Sequence, residues 1–112
     1  MVSIDRFRKM ALAFPDTDEH PHFQRQAFRV RQRIFATISS ADHIAMLLLS
    51  PAEQSVYCDF APGIFYPVPG TWGKKGSTFV NLKKVPAAVA AEALAAAYAH
   101  TAAKYPPKKK RP

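Results

Sequence analysis

The stretch from Phe23 to Ser50 constrains the fold most. In Ala27–Val30, Phe28 and Val30 share one face and Arg29 and Arg31 the other, the period of two that a strand requires. Arg33–Ile38 follows with Ile34, Ala36 and Ile38 on one face and Phe35 and Thr37 on the other. A turn at Arg31-Gln32 and a second near Ser39–Asp42 make an antiparallel meander that ends in His43–Leu49. That last run is apolar on both faces, the pattern of a strand in the middle of a sheet. With a two-residue turn, Val30 sits opposite Arg33 and Phe28 opposite Phe35. Arg31-Gln32 lacks the Gly or Asn of a type I′ turn, so a longer loop is the alternative.

Helices flank this meander. Ser3 is an N-cap residue, and Ile4, Phe7, Met10 and Phe14 recur at helical spacing until Pro15. Asp16–His22 is acidic and carries Pro21, which predicts a linker. Ser50-Pro51-Ala52-Glu53 has the residues of a capping box with Pro at N1, so a helix follows. It is expected to bury Val56, Tyr57 and Phe60 and to end at Pro62-Gly63. Ile64–Tyr66 is a short edge strand, because Pro67 and Pro69 exclude a central one. Gly70–Gly76 is a loop, Ser77–Leu82 a strand, and Pro86 opens an alanine-rich helix to about Lys104.

The 112 residues suit one core, and the longest apolar run, Ile44–Leu49, is too short to cross a bilayer. A lone cysteine, Cys58, excludes an internal disulfide and fits a reducing compartment, so the expected location is the cytoplasm. The net charge is +8, but Lys104, Lys108, Lys109, Lys110 and Arg111 crowd the C-terminus, leaving 11 basic against 8 acidic residues elsewhere. The expected division is one domain over residues 1–104 and a basic, disordered tail over 105–112. Such a tail attracts polyanions or serves only solubility.

Few residues point to chemistry. His20-Pro21-His22 beside Asp16, Asp18 and Glu19 offers two metal ligands but no second separated pair. An enzyme using them would also need a convergent acid–base set, and none is visible. Cys58, on a helix, has no base or cation placed beside it by the sequence. Gly73-Lys74-Lys75-Gly76, with Trp72 adjacent, is a basic loop that could meet phosphates with its lysines and stack a base on indole. The alternative is a tight turn with Trp72 packed on the core. Arg25, Arg29, Arg31 and Arg33 around the first hairpin either form a basic patch or block strand pairing at an edge.

Taken together, Leu12-Ala13-Phe14-Pro15, Phe28-Arg29-Val30-Arg31, Arg33-Ile34-Phe35-Ala36, Leu49-Ser50-Pro51, Phe65–Gly73 and Val80-Asn81-Leu82 resemble the MmcQ/YjbR family of small bacterial proteins. The resemblance runs from Ser3 to about Ala103. It implies an α+β chain with a frataxin-like two-layer α/β sandwich, an antiparallel sheet with the N- and C-terminal helices packed on one face. Members often carry Gly in the turn occupied here by Arg31-Gln32, and Gln32 would be strained in a left-handed conformation. The family is described as DNA-binding, with a proposed double-wing mode. With the residue reading above, the expectation is a non-enzymatic protein without cofactor or metal, a monomer whose partner is DNA and not a membrane. Arg29, Arg31, Arg33, Lys74 and Lys75 are the expected phosphate contacts, and Trp72 stacks or positions. A competing expectation is a ligand- or protein-binding module, with Phe28, Phe35 and Trp72 lining the open face of the sheet.

Overall fold

The computed structural model describes residues 1–107; Lys108, Lys109, Lys110, Arg111 and Pro112 of the expected tail lie outside the described residues. The order is α1 (Ile4–Leu12), β1 (Thr17–His22), β2 (Arg25–Val30), β3 (Arg33–Ser39), β4 (Ile44–Leu48), α2 (Pro51–Phe60), β5 (Phe65–Pro67), α3 (Thr71–Lys74), β6 (Ser77–Asn81) and α4 (Ala87–Lys104). The strands form one antiparallel sheet in the order β1-β2-β3-β4-β6-β5. β4 lies inside it, as its two apolar faces predict. Phe7 on α1 packs edge-on against Phe28, Tyr57 on α2 lies 5.0 Å from Phe65, and Tyr98 on α4 lies 5.4 Å from Phe35. All three helices thus cover one face, giving the two-layer α/β sandwich.

The helix starts follow from their caps. The Ser3 hydroxyl accepts from the Arg6 amide. At Ser50 the capping box is complete: its hydroxyl accepts from the Glu53 amide at 3.1 Å, and the Glu53 carboxylate accepts from the Ser50 amide at 3.3 Å. The Tyr57 hydroxyl donates to the Glu92 carboxylate at 2.8 Å and joins α2 to α4; burial, reinforced by that carboxylate, raises its pKa. Val56 and Phe60 point outward, and only Tyr57 of the three residues expected to be buried is in the core. The three lie within an arc of about 100°, which one apolar stripe can hold, but α2 presents only its Tyr57 edge to the core.

Three further sequence expectations are corrected. Asp16–His22 is not a linker: Thr17–His22 pairs with β2 as the outermost strand, with Pro21 opposite Gln26. An edge strand tolerates proline because one side of it has no ladder to donate into. Gly70–Gly76 contains the short helix α3. In the first hairpin, Arg31 and Gln32 both adopt positive φ, 47° and 71°, so the turn is the tight two-residue one despite its side chains. Val30 pairs with Arg33 as expected, but a bulge follows and Phe28 pairs with Ala36 instead of Phe35. One extra residue on β3 puts Ala36 and Ile38 on the helix face along with Phe35, while Ile34 and Thr37 take the other.

Candidate functional site

The bulge decides what the open face carries. Phe28 and Phe35 are fully buried under the helices, so they do not line the open face as expected. The residues that do are set by register. Thr37, Met46 and Phe79 lie in one cross-strand row, and Leu48 and Ser77 are paired in the next. With Ile34 they floor a groove of about 500 Å³, bounded by His22 and Arg25 from the β1–β2 hairpin and by Val68 and Trp72 from the β5–α3 side. Arg25 reaches across this face. Its Nε donates to Thr37 Oγ1 at 3.1 Å, one terminal nitrogen approaches the Ile44 carbonyl at 3.4 Å, and its guanidinium carbon lies 5.8 Å from the Phe79 ring centre.

A second cleft of about 310 Å³ adjoins the groove and shares Ile34, Leu48, Trp72 and Ser77 with it. Its cations are Arg33, Lys75 and Lys104. Arg33 stacks on the Tyr105 ring at 4.3 Å, and the Lys75 ammonium lies 6.0 Å from the Trp72 ring centre. Trp72 is 68% exposed and separates the two hollows. It is not packed on the core.

The loop that presents Trp72 is tightly held. The Gln54 amide on α2 donates to the Gly73 carbonyl at 2.9 Å and the Ser77 carbonyl at 3.0 Å. A Cβ on Gly73 would fall 1.7 Å from the Val68 carbonyl oxygen, so backbone passes backbone where a side chain would stand.

The expected phosphate contacts therefore divide. Arg33, Lys75 and Trp72 come together at the cleft. Lys74 is exposed on α3 but does not line it. Arg29 holds both oxygens of Asp18 at 2.8 Å across the β1–β2 pair. Arg31 is fully engaged: it donates to the Tyr105 carbonyl at 2.9 Å, the Ala102 carbonyl at 3.0 Å and Asp16 Oδ2 at 3.0 Å. Those carbonyls end α4, where the helix dipole is negative and acceptors lack partners. Sequence reasoning places Arg25 only in the hairpin's basic patch and Lys104 only in the C-terminal basic cluster, and it misses Tyr105 at these hollows. The basic Lys104 stands at the expected tail boundary, and nothing local says that its helix end faces the β2–β3 turn.

The Arg29 hydrogen bond lowers the Asp18 pKa from its ordinary 3.8, against a smaller opposing effect of burial. A lowered carboxylate stabilises the fold at pH above 3.8, and that contribution fades as the pH falls through the folded value. Acidification below 3.8 is thus expected to lower amide protection, relative to the intrinsic exchange rate, in β1 before it does so in β4. Equal loss of protection in both strands would show that this pair does not fasten the edge.

Cys58 is half-buried; burial, and then the charge of Asp59, raise its pKa, the opposite of what a nucleophile needs. His20 and His22 lie on β1, and among the described residues no three of His, Cys, Asp and Glu gather as a metal site. No described helix is long and apolar enough to cross a membrane.

The YjbR family profile matches residues 12–100 of the chain. A crystal structure of Deinococcus radiodurans protein DR2400, which carries the domain DUF419, superposes with a TM-score of 0.83 at 22% identity, covering 96% of this chain and 84% of that one. At that identity the likeness is one of fold. No curated protein matches the sequence significantly.

Proposed function

The chain belongs to the YjbR family, and on that premise we propose that it is a non-catalytic DNA-binding protein whose contact surface is the basic cleft beside Trp72. One observation carries this reading: Arg33, Lys75 and Lys104 converge around an exposed indole. Phosphate binding draws on cations that are not already neutralised. The ion pairs among the described residues engage Arg8, Lys9, Arg29 and Arg31, and the three cleft cations are in none of them. Lys74 can add a contact from outside the cleft. Aromatic stacking tolerates any base, and backbone contacts carry no sequence information. Weak sequence preference and steep salt dependence follow.

The test is anisotropy of labelled duplex and single-stranded DNA across a salt series. Each phosphate contact removed is expected to reduce the slope of log affinity against log salt by about 1. Arg33→Ala with Lys75→Ala should therefore lower it by about 2, while Arg29→Ala, already neutralised by Asp18, should leave it nearly unchanged. Both variants keep Lys108–Arg111. An unchanged slope in the double variant would assign the binding to those terminal residues and sink the cleft reading.

A further inference from the structure

We propose that the groove on the open face of the sheet is a binding site for a small amphipathic carboxylate. Its apolar body would lie on Ile34, Met46, Leu48 and Phe79, and its anionic group would meet Arg25. This site adjoins the basic cleft and shares Ile34, Leu48, Trp72 and Ser77 with it, but its cation is Arg25 and it does not depend on DNA binding.

Three observations converge on it. α1, α2 and α4 pack on the other face, and Ile34, Met46, Leu48 and Phe79 stay only half-buried over the middle of the sheet. A concave apolar surface with a few placed polar groups, at about 500 Å³, has the size and make-up of a small-molecule site. The decisive group is Arg25. It is a half-buried guanidinium beside this apolar floor, and none of the ion pairs among the described residues includes it. Thr37 Oγ1 and the Ile44 carbonyl, which fix its position, are neutral. Its charge is thus held in place but not matched, and a carboxylate matches a guanidinium in both charge and fork geometry. Holding the arginine in advance also spares the ordering cost of binding.

The same floor argues against nucleobases here. A base offers several polar edge groups, and buried polar groups without partners are costly. Beyond Arg25 and His22, the polar side-chain groups lining the groove are the hydroxyls of Thr37 and Ser77 and the indole N–H of Trp72.

Trp72 is the chain's only tryptophan and lines the groove, so its fluorescence reports occupancy. The probes are decanoate and decanol, which share a ten-carbon chain and differ in charge, each used below its aggregation or solubility limit. Decanoate is expected to shift Trp72 emission saturably and to move the amide resonances of Met46 and Phe79. Decanol should bind at least about tenfold more weakly, the usual worth of one charge-assisted hydrogen bond. Arg25→Gln should weaken decanoate by a similar factor and leave decanol unchanged, whereas Arg25→Lys, which keeps the charge, should retain more affinity than Arg25→Gln. Circular dichroism and decanol binding verify that the variants fold. Arg33→Ala with Lys75→Ala should bind decanoate as the native chain does, which separates this site from the DNA cleft. Equal affinity for the two probes, indifference to Arg25→Gln, shifts that map away from the sheet face, or a groove buried in a self-associated form would each overturn the proposal.

Discussion

Replacing Gly76 by alanine is expected to cost about 3 kcal/mol or more, combining a disfavoured backbone with a steric clash. Gly76 has φ 115°, outside what a side chain tolerates. A Cβ there would lie 1.9 Å from the Leu49 carbonyl oxygen, 2.9 Å from its carbon and 3.1 Å from the Ser50 carbonyl carbon. All three are backbone atoms at the junction of β4 and α2, where Ser50 caps the helix. They cannot yield without breaking the cap or the Leu49 amide bond to the Gly76 carbonyl. Gly63 is the control. It too has positive φ, 85°, but a Cβ would meet nothing within 4 Å. Gly63→Ala should therefore cost only the backbone preference, about 1–2 kcal/mol. Urea unfolding of both variants measures the difference. A Gly76→Ala midpoint equal to that of Gly63→Ala would show that the junction relaxes freely. Gly76→Ala should also loosen the loop that presents Trp72, because Gly76 closes it.

Phe35→Ala is the second large effect, about 3–5 kcal/mol, the usual range for emptying a fully buried phenylalanine site. Phe35 is 0% exposed and packs edge-on against Phe14 at 6.3 Å and Tyr98 at 5.4 Å. Removing it opens a cavity bounded by β3, α4 and the chain after α1, three elements that cannot collapse together. Ile34→Ala, on the half-exposed open face, should cost clearly less, about 1 kcal/mol. The order of the two costs tests the bulge directly. Without it, Ile34 would share a face with Ala36 and Ile38, and Phe35 would lie on the opposite face from them. A larger loss at Ile34 would therefore contradict the register in which Phe28 pairs with Ala36. The two variants also differ in the groove: Ile34→Ala removes part of its floor, and Phe35→Ala leaves it alone.

Local chemistry determined much of this protein directly from the sequence. The Ser50–Glu53 cap, the helix start at Ser3, the central β4 and the proline-limited edge strand β5 all appear where their residues demand them. These features depend on neighbours within about four residues, so short-range pattern is enough to specify them. At Arg31-Gln32 a tight turn competes with a longer loop, because these residues do not favour positive φ. It forms because Arg31 is tied to Asp16, Ala102 and Tyr105, and two of those partners lie more than seventy residues away. Tertiary bonds outweigh a local strain of about 1–2 kcal/mol per residue.

The candidate sites were decided almost entirely by tertiary structure. The sequence showed which cations and aromatics the chain owns, but not which of them are already engaged. Arg29 and Arg31 belong to the same basic run as Arg33, yet Asp18 and the end of α4 occupy the first two. A single bulge residue put Ala36 and Ile38 beside Phe35 under the helices and left Ile34 off that face. The physical reason is the two-residue period of a strand: one inserted residue exchanges every face beyond it, while pairing partners and counter-ions are chosen across the sheet, beyond the reach of any sequence window.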